Sequence, residues 1–401
     1  MKKILALFLV LSLVFTCAAC GAKGTQTATD TGAKGGTVTD TGGQGSAETG
    51  KKDKIKIGVS IWSSTDTLGS QCKMILDAAA KALGVELVYV DQNHISEKVT
   101  ASMETLAAAG CDGVIICNSS SAEMTSVINT ANENKIYVAQ FFRSINKESN
   151  PNEYQLAVSS PYYVGTVHED EVDNGYKLVQ VLAEKGYRKI ALMGWEPGDA
   201  TFLARWEGYK KKGVEGWNKE HPNDLVELLE PQYGGTTSDT GRATAEAILS
   251  SNPDADALIV AGGGGDPLIG AIQAIEGLGK TGQIGVASTD FLHDLDVQLQ
   301  KGAITVESGG HFADPLFAFM MVYNAVRGKY EVPTDGFYEI VFPYIFVSSS
   351  EDYANFQKYF IDELPYNEEE MKAMADYSFD QLKETAAKLS IEEVMQRHSG
   401  K

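Results

Sequence analysis

"KIKIGVSI", residues 54–61, is an apolar, β-branched run of strand length, and the alternation of helix and strand patterns beyond it decides the fold. From Ser70 to Leu83 the apolar residues Met74, Ile75, Ala78, Ala79, Ala82 and Leu83 recur at helical spacing, and Gly84 closes the segment. "VELVYV" (85–90) is the next strand, Val99 to Ala109 a helix stopped by Gly110, and "GVIIC" (113–117) a third strand. A helix from Ala122 to Asn134 leads to "IYVAQF" (136–141). Strands that are apolar on both faces and alternate with helices predict a parallel sheet covered on both sides.

The pattern then restarts. The spacing of Tyr176, Leu178, Val179, Val181 and Leu182 predicts a helix from Gly165 to Gly186, followed by the strand "KIALMGW" (189–195) and a helix from Phe202 to Glu220. Next come "LVELLE" (225–230), a helix from Ser238 to Ser250, "DALIVAG" (256–262), a helix from Pro267 to Leu278, and "QIGVAST" (283–289). "AITVESG" (303–309), a helix from Asp314 to Arg327 and the strand-like "YEIVFPYIFV" (338–347) complete the core. The expected fold class is α/β, with two doubly wound parallel-sheet lobes. An acidic tail to Lys401 carries helical apolar spacing at Met371, Met374, Leu382, Leu389 and Val394, and reads as a C-terminal helical extension that packs on a lobe or meets a partner.

The start of the chain is of another kind. Met1-Lys2-Lys3 precedes an apolar stretch from Ile4 to Phe15, the length of a signal-peptide core and short for a membrane span. Cys17-Ala18-Ala19-Cys20 resembles a bacterial lipobox, in which Cys20 would receive lipid. Gly21 to about Lys52 repeats Thr-Asp-Thr-Gly at 29–32 and 39–42 and has almost no large apolar residue, so burial cannot offset its ordering entropy. As a random coil such a linker reaches roughly 30 Å. Residues 1–19 are therefore expected to be a signal peptide, and 20–53 a lipid-anchored tether on the outer face of a bacterial cytoplasmic membrane.

Composition narrows the function. About 350 residues remain beyond the tether, enough for two cores. The formal charge of −20 argues against nucleic acid, whose phosphates such a body repels. Past Cys20 the cysteines are Cys72, Cys111 and Cys117, with no CxxC pair, so neither a disulfide framework nor a metal site is expected. Cys111 and Cys117 flank a strand that holds them apart. No GxSxG, HExxH or Ser-His-Asp pattern occurs, so no catalytic residue, enzyme activity or cofactor is expected.

In open parallel sheets ligands bind beyond the carboxyl ends of the strands. The first lobe delivers Trp62, Ser63 and Asp66, then Asn118, then Phe142 and Arg143. The second delivers Trp195, the glycines 262–265 with Asp266, and Asp290. Aromatic faces with carboxylates and an arginine suit a neutral polyol such as a sugar. Trp62 and Trp195 are either ligand contacts or core rings. Arg143, directly after an apolar strand, needs a carboxylate or a ligand. "GGGG" lacks the spacing of a phosphate loop. His311, in "GGHFADP", either binds ligand or caps the helix at Asp314.

Residues 54 to 348 resemble the type 1 periplasmic binding proteins, the family of ribose- and galactose-binding proteins. The resemblance rests on "KIGVSIW", "AAKALGVEL", "LAAAGCDGVIICNSSS", "IYVAQFFRSIN", Ala204 to Gly213, "NPDADALIVAGGGGDPLIGAIQAIEGLGK" and "IGVASTDF" in this order. It implies two lobes joined by three crossing strands, placed near Ser159–Ser160, Gly309–Gly310 and Ile340–Tyr344. It implies lobes of 54–159 with 310–340 and 160–309 with 341–350, followed by an extension at 351–401. It also implies a sugar-binding role for Arg143, for Arg205 facing the cleft, for Asp290 and for His311. An aromatic at Phe142 replaces the family's aspartate, and Gly265 its asparagine. The implied protein is a monomeric extracytoplasmic binding lipoprotein that closes on a small polar ligand, a sugar by expectation, and delivers it to an ABC permease. The alternative is a sensor that presents its ligand to a membrane receptor kinase.

Overall fold

The computed structural model of the chain describes residues 54–93, 95–194, 197, 200–261 and 266–399. The signal, Cys20 and the tether, together with Trp195 and the glycines 262–265, lie outside the described residues. The strands are β1 (Lys56–Ile61), β2 (Glu86–Asp91), β3 (Gly113–Ile116), β4 (Tyr137–Phe141), β5 (Tyr163–Glu169), β6 (Lys189–Gly194), β7 (Glu227–Leu228), β8 (Gln232–Tyr233), β9 (Ala257–Val260), β10 (Gly285–Thr289), β11 (Val306–Gly309), β12 (Tyr338–Phe342) and β13 (Ile345–Val347). They form two sheets, β12-β5-β4-β3-β1-β2 and β13-β11-β10-β9-β6-β7, with β8 also on β6. Among the described residues every pairing is parallel except that of β13 with β11.

The first sheet is buried because its strands are apolar on both faces: Ile57, Val59, Ile61, Val114, Ile115, Ile116, Val138, Ala139 and Phe141 are all sealed from solvent. Polar groups inside make hydrogen bonds, with Gln92 Oε1 left without a partner among the described residues. Ser60 Oγ lies 2.6 Å from Ser102 Oγ, and Gln92 Nε2 donates to Ser60 Oγ at 2.7 Å and to the Cys117 carbonyl at 3.0 Å. The helix Asp314–Val326 is buried almost all round and packs on β3, β4 and β5 and on the helix Thr67–Leu83. Cys72, Cys111 and Cys117 are buried.

The chain changes sheet in places that differ in part from the sequence expectation. Residues 165–169 are strand, not helix. β5 lies between β4 and β12 in the first sheet, and the helix begins only at Glu171. Gly165 is what lets β12 come alongside, since a Cβ there would sit 1.9 Å from the Tyr338 carbonyl oxygen. Ser159–Ser160 is therefore not a crossing and 160 does not open the second lobe. Ser160 turns the chain from the helix Pro151–Ser159 into β5, its Oγ accepting from the amides of Tyr162 and Tyr163. The first crossing is at Asp170, between β5 and the helix Glu171–Glu184 that packs on β10 and β11. The chain returns through Gly310, after β11. "YEIVFPYIFV" is two strands in two sheets, broken at Pro343-Tyr344. Phe202 to Glu220 widens into π-helix over Gly208–Val214. "LVELLE" shrinks to the two-residue β7.

The extension makes a fourth crossing. Its first helix, Ser350–Phe356, packs on the helix Leu295–Lys301 and on β13 of the second lobe. Its helix Glu368–Met374 packs on Thr67–Leu83, and Phe379–Ala387 on β12, both in the first lobe. Between them, Phe356 stands 4.9 Å from the Phe291 ring and 5.1 Å from Phe360, and Tyr366 lies 5.5 Å from Phe317. Gly310 has φ +68°, and a Cβ on it would come within 2.7 Å of Phe356. The extension thus lies across the second crossing with an aromatic ring pressed on it.

Truncating Phe356 to Ala removes a ring that is 2 % exposed and touches both lobes. We expect a loss of about 3–5 kcal/mol, read as a lowered midpoint in urea at unchanged slope. An effect under about 1 kcal/mol would mean the extension is only loosely docked.

Candidate functional site

At the tip of β1, Trp62 is half-buried and its indole Nε1 donates to Asp66 Oδ2 at 2.6 Å. Asp66 Oδ1 accepts from the Gly69 amide at 2.7 Å, capping the helix Thr67–Leu83. Ser63 Oγ accepts from the amides of Thr65 and Asp66. Ser63 and Asp66 thus build the turn that aims Trp62. Asn118, after β3, is buried: its Oδ1 accepts from Gln140 Nε2 at 2.6 Å and its Nδ2 donates to the Ser120 carbonyl at 2.9 Å.

β4 ends in Phe142 at φ +58°, a left-handed conformation disfavoured for a bulky side chain. Asp314 Oδ1 accepts its amide at 3.3 Å. The Phe142 ring stands 5.7 Å from Trp62 and 5.1 Å from His311. Arg143 beyond it is exposed, and its Nη1 donates to the Phe142 carbonyl at 2.7 Å.

From the second lobe comes Asp290, held at φ +74° with its amide donating to the Ser308 carbonyl at 2.7 Å. Its carboxylate is 34 % exposed and lies 4.0 Å from His311 Nε2. His311 sits on the second crossing, 6 % exposed, between Phe142 and Tyr344, whose ring is 4.8 Å away. It does not cap the helix at Asp314, whose N-cap residue is Ala313 with no side-chain bond. His311 Nδ1 is buried without a partner among the described residues. Trp62, Phe142, His311 and Asp290 thus form a continuous row from one lobe to the other.

Arg205 is placed differently from the expectation of an open cleft-facing arm. It is 4 % exposed. Nε donates to Glu171 Oε2 at 2.6 Å, and Nη2 to Glu171 Oε1 at 3.2 Å and to Tyr344 Oη at 3.2 Å, while Nη1 donates to the Ala261 carbonyl. Burial works against the Glu171 charge, but the Arg205 guanidinium prevails and holds its carboxyl below the usual range. Asp266 is exposed at the start of the helix Asp266–Gly277, and among the described residues no contact joins it to the row.

Sequence reasoning missed four residues here: Glu169, Glu171, Tyr344 and Asp314. Glu169 and Glu171 were hidden inside a supposed helix, although an acidic run after an apolar strand signals a helix start. Glu169 and Asp314 are both buried, and burial pushes both carboxyls up, Asp314 further through its neighbour. As two carboxylates they would leave Glu169 Oε1 and Asp314 Oδ2 without a donor. The Glu169 charge adds to burial in raising Asp314, which in turn accepts the Phe142 amide and so relates the end of β5 to that strand tip.

Two surface cavities lie apart from this row. One of about 260 Å³ is lined by Ile269, Ile272, Leu292 and Lys301. One of about 310 Å³ lies behind Ser144, beside Tyr154, His168 and Phe337.

Two parallel-sheet lobes whose strand ends meet at a hinge define a two-lobed solute-binding protein. Its sequence matches the family described as periplasmic binding protein domain over residues 57–327, and the chain belongs to that family. Among relatives, the ribose import binding protein of Bacillus subtilis is 22% identical over 58% of this chain and 70% of its own. The xylitol-binding protein of Mycolicibacterium smegmatis is 22% identical over 71% and 76%. An ABC transporter periplasmic solute-binding protein of Actinobacillus succinogenes, solved with D-allose, superposes with a TM-score of 0.62 at 16% identity, covering 75% of this chain and all of its own. One from Bacillus halodurans, solved with myo-inositol, gives 0.59 at 20%, covering 76% and 99%. The fold is that of the type 1 periplasmic binding proteins.

Glu307 on β11 gives the second lobe a pH signature. It is sealed from solvent, its Oε2 accepts only the Leu292 amide at 2.9 Å, and burial pushes its carboxyl up to about 8 from an ordinary 4.5. The folded protein then keeps a proton that the unfolded chain has released. The stability this confers is full below 4.5 and is lost as pH rises toward 8. Melting temperature measured across that window should fall more steeply in the wild type than in Glu307→Gln. Parallel curves would show that Glu307 is ionised in the fold.

Proposed function

We propose that this chain is an extracytoplasmic solute-binding lipoprotein, anchored through Cys20 after removal of residues 1–19. It takes up a small polar solute, a sugar or sugar alcohol, between its lobes and passes it to an ABC permease. The observation that carries this reading is the row Trp62–Phe142–His311–Asp290, which ends in a one-third-exposed carboxylate and has Arg143 next to Phe142 with Nη1 on the Phe142 carbonyl. Aromatic faces receive the C–H surface of a pyranose, furanose or polyol, and the two charged groups take its hydroxyls by charge-assisted hydrogen bonds. The relatives named for ribose and xylitol, and the neighbours solved with D-allose and myo-inositol, support the same solute class. Arg205 and Asp266 belong to the opposing wall in this reading, with Ser63, Asp66 and Asn118 shaping the near one, and Trp195 is proposed as a further solute contact. Binding contacts that span both lobes exist only in the closed form, so the solute itself drives closure. Nothing in the site calls for a cofactor, and the reading is of a monomer that carries no catalytic step.

A thermal-shift screen with ribose, xylitol, D-allose and myo-inositol tests it. At least one should raise the melting temperature, since ligand at a hundred times its Kd adds about 2.7 kcal/mol. Asp290→Asn, which tolerates the same backbone, should weaken that solute about tenfold or more by calorimetry. Trp62→Ala should weaken it similarly. A stable protein that answers none of the four, or an Asp290→Asn variant that binds normally, would overturn the reading.

A further inference from the structure

We propose that Tyr344, on the third crossing between the lobes, is a positioning residue for Arg205, fixing which N–H of that guanidinium is left for the solute. The inference rests on the proposed solute-binding function. The Tyr344 hydroxyl donates to Glu171 Oε1 at 3.0 Å and accepts from Arg205 Nη2 at 3.2 Å, two roles that one phenol fills at once. Burial first, then the Glu171 carboxylate, keeps that phenol protonated. Its ring is 8 % exposed, wedged against His311 and 6.0 Å from the Arg205 guanidinium carbon.

An arginine has five N–H donors in a rigid fork. Glu171, Tyr344 and the Ala261 carbonyl engage Nε, both N–H groups of Nη2 and one of Nη1. Among the described residues, one Nη1 N–H remains. The carboxylate of Glu171 fixes the fork at one edge only, and an Arg–carboxylate pair can pivot about that edge. The Ala261 carbonyl holds Nη1, and Tyr344 supplies a further point of attachment, from a different crossing, that helps set the direction in which the remaining N–H points. Glu171 stands directly after the first crossing and Tyr344 on the third. The orientation of Arg205 is therefore set by the hinge itself, with no part taken from the body of its own lobe beyond Ala261.

The test uses the full chain labelled with 15N-arginine, with the Arg205 Nε–H signal assigned through Arg205→Lys. In the wild type this signal should exchange slowly with water. In Tyr344→Phe, which keeps the ring and its contact with His311, exchange should quicken by about tenfold or more. Affinity for whichever of ribose, xylitol, D-allose or myo-inositol binds the wild type should fall about five- to tenfold. In an Arg205→Lys background the same change should cost no further affinity, which a merely structural role for Tyr344 would not reproduce. If Tyr344→Phe is too unstable to label, Glu171→Asp draws the shared acceptor back by one methylene and carries the same expectations. Unchanged exchange and unchanged affinity in these variants overturn the proposal while leaving the solute-binding function standing. Failure of all four solutes on the wild type overturns that function instead, and the exchange measurement still decides the role of Tyr344.

Discussion

Two short contacts tie the three crossings together, and the site depends on them. The His311 ring, on the second crossing, packs 4.8 Å from the Tyr344 ring on the third. The Tyr344 hydroxyl reaches Glu171, immediately after the first, at 3.0 Å. Around this lacing Glu171, Arg205 and the Tyr344 hydroxyl are paired with one another, while His311 Nδ1 is buried without a partner among the described residues, and low dielectric makes each of these groups consequential. Deleting one member of the Glu171–Arg205 pair would strand a buried charge, a loss of about 3–5 kcal/mol in comparable cases. Removing the outer residues would not, because Arg143 and Asp290 face solvent. The hinge is thus built to stay intact while the strand tips remain free to take a guest.

Lobe closure in such a molecule has to work against four connections. The extension runs from the helix Ser350–Phe356 on the second lobe to the helices Glu368–Met374 and Phe379–Ala387 on the first. The neighbour from Actinobacillus succinogenes, matched over its whole length, covers 75% of this chain, about the share that the two lobes alone make up. The extra helices place Phe356 against Gly310 at the point where the second crossing turns. The segment is thus docked on both lobes at once, beside the second crossing.

Much of the fold was legible because burial on both faces writes itself into β1, β3, β4, β9 and β10 as mostly apolar runs. What misled was local. Gly165 reads as a helix boundary, yet it is a glycine required by the close approach of β12, a strand that begins at Tyr338, far along the chain, and no local window of sequence contains that partner. "YEIVFPYIFV" reads as one strand because nothing nearby reveals that Pro343 separates two sheets. At the site, residue types at strand ends pointed to Trp62, Phe142, Arg143 and Asp290. The same logic could not show that Asp66 serves a helix cap and an indole, or that Arg205 is already engaged by Glu171. Those facts depend on partners 4 and 34 positions away whose facing is fixed only by the fold.

The most direct test of the account is the distance between the lobe rims. Glu97 and Asp239 are exposed at the starts of helices on opposite lobes, so paired spin labels on Glu97→Cys and Asp239→Cys report closure by pulsed electron resonance. The native cysteines among the described residues are buried and should stay silent. Saturation with a solute shown by calorimetry to bind should shift the distances to a shorter, narrower distribution. Binding with no change in that distribution would contradict a guest held between the lobes.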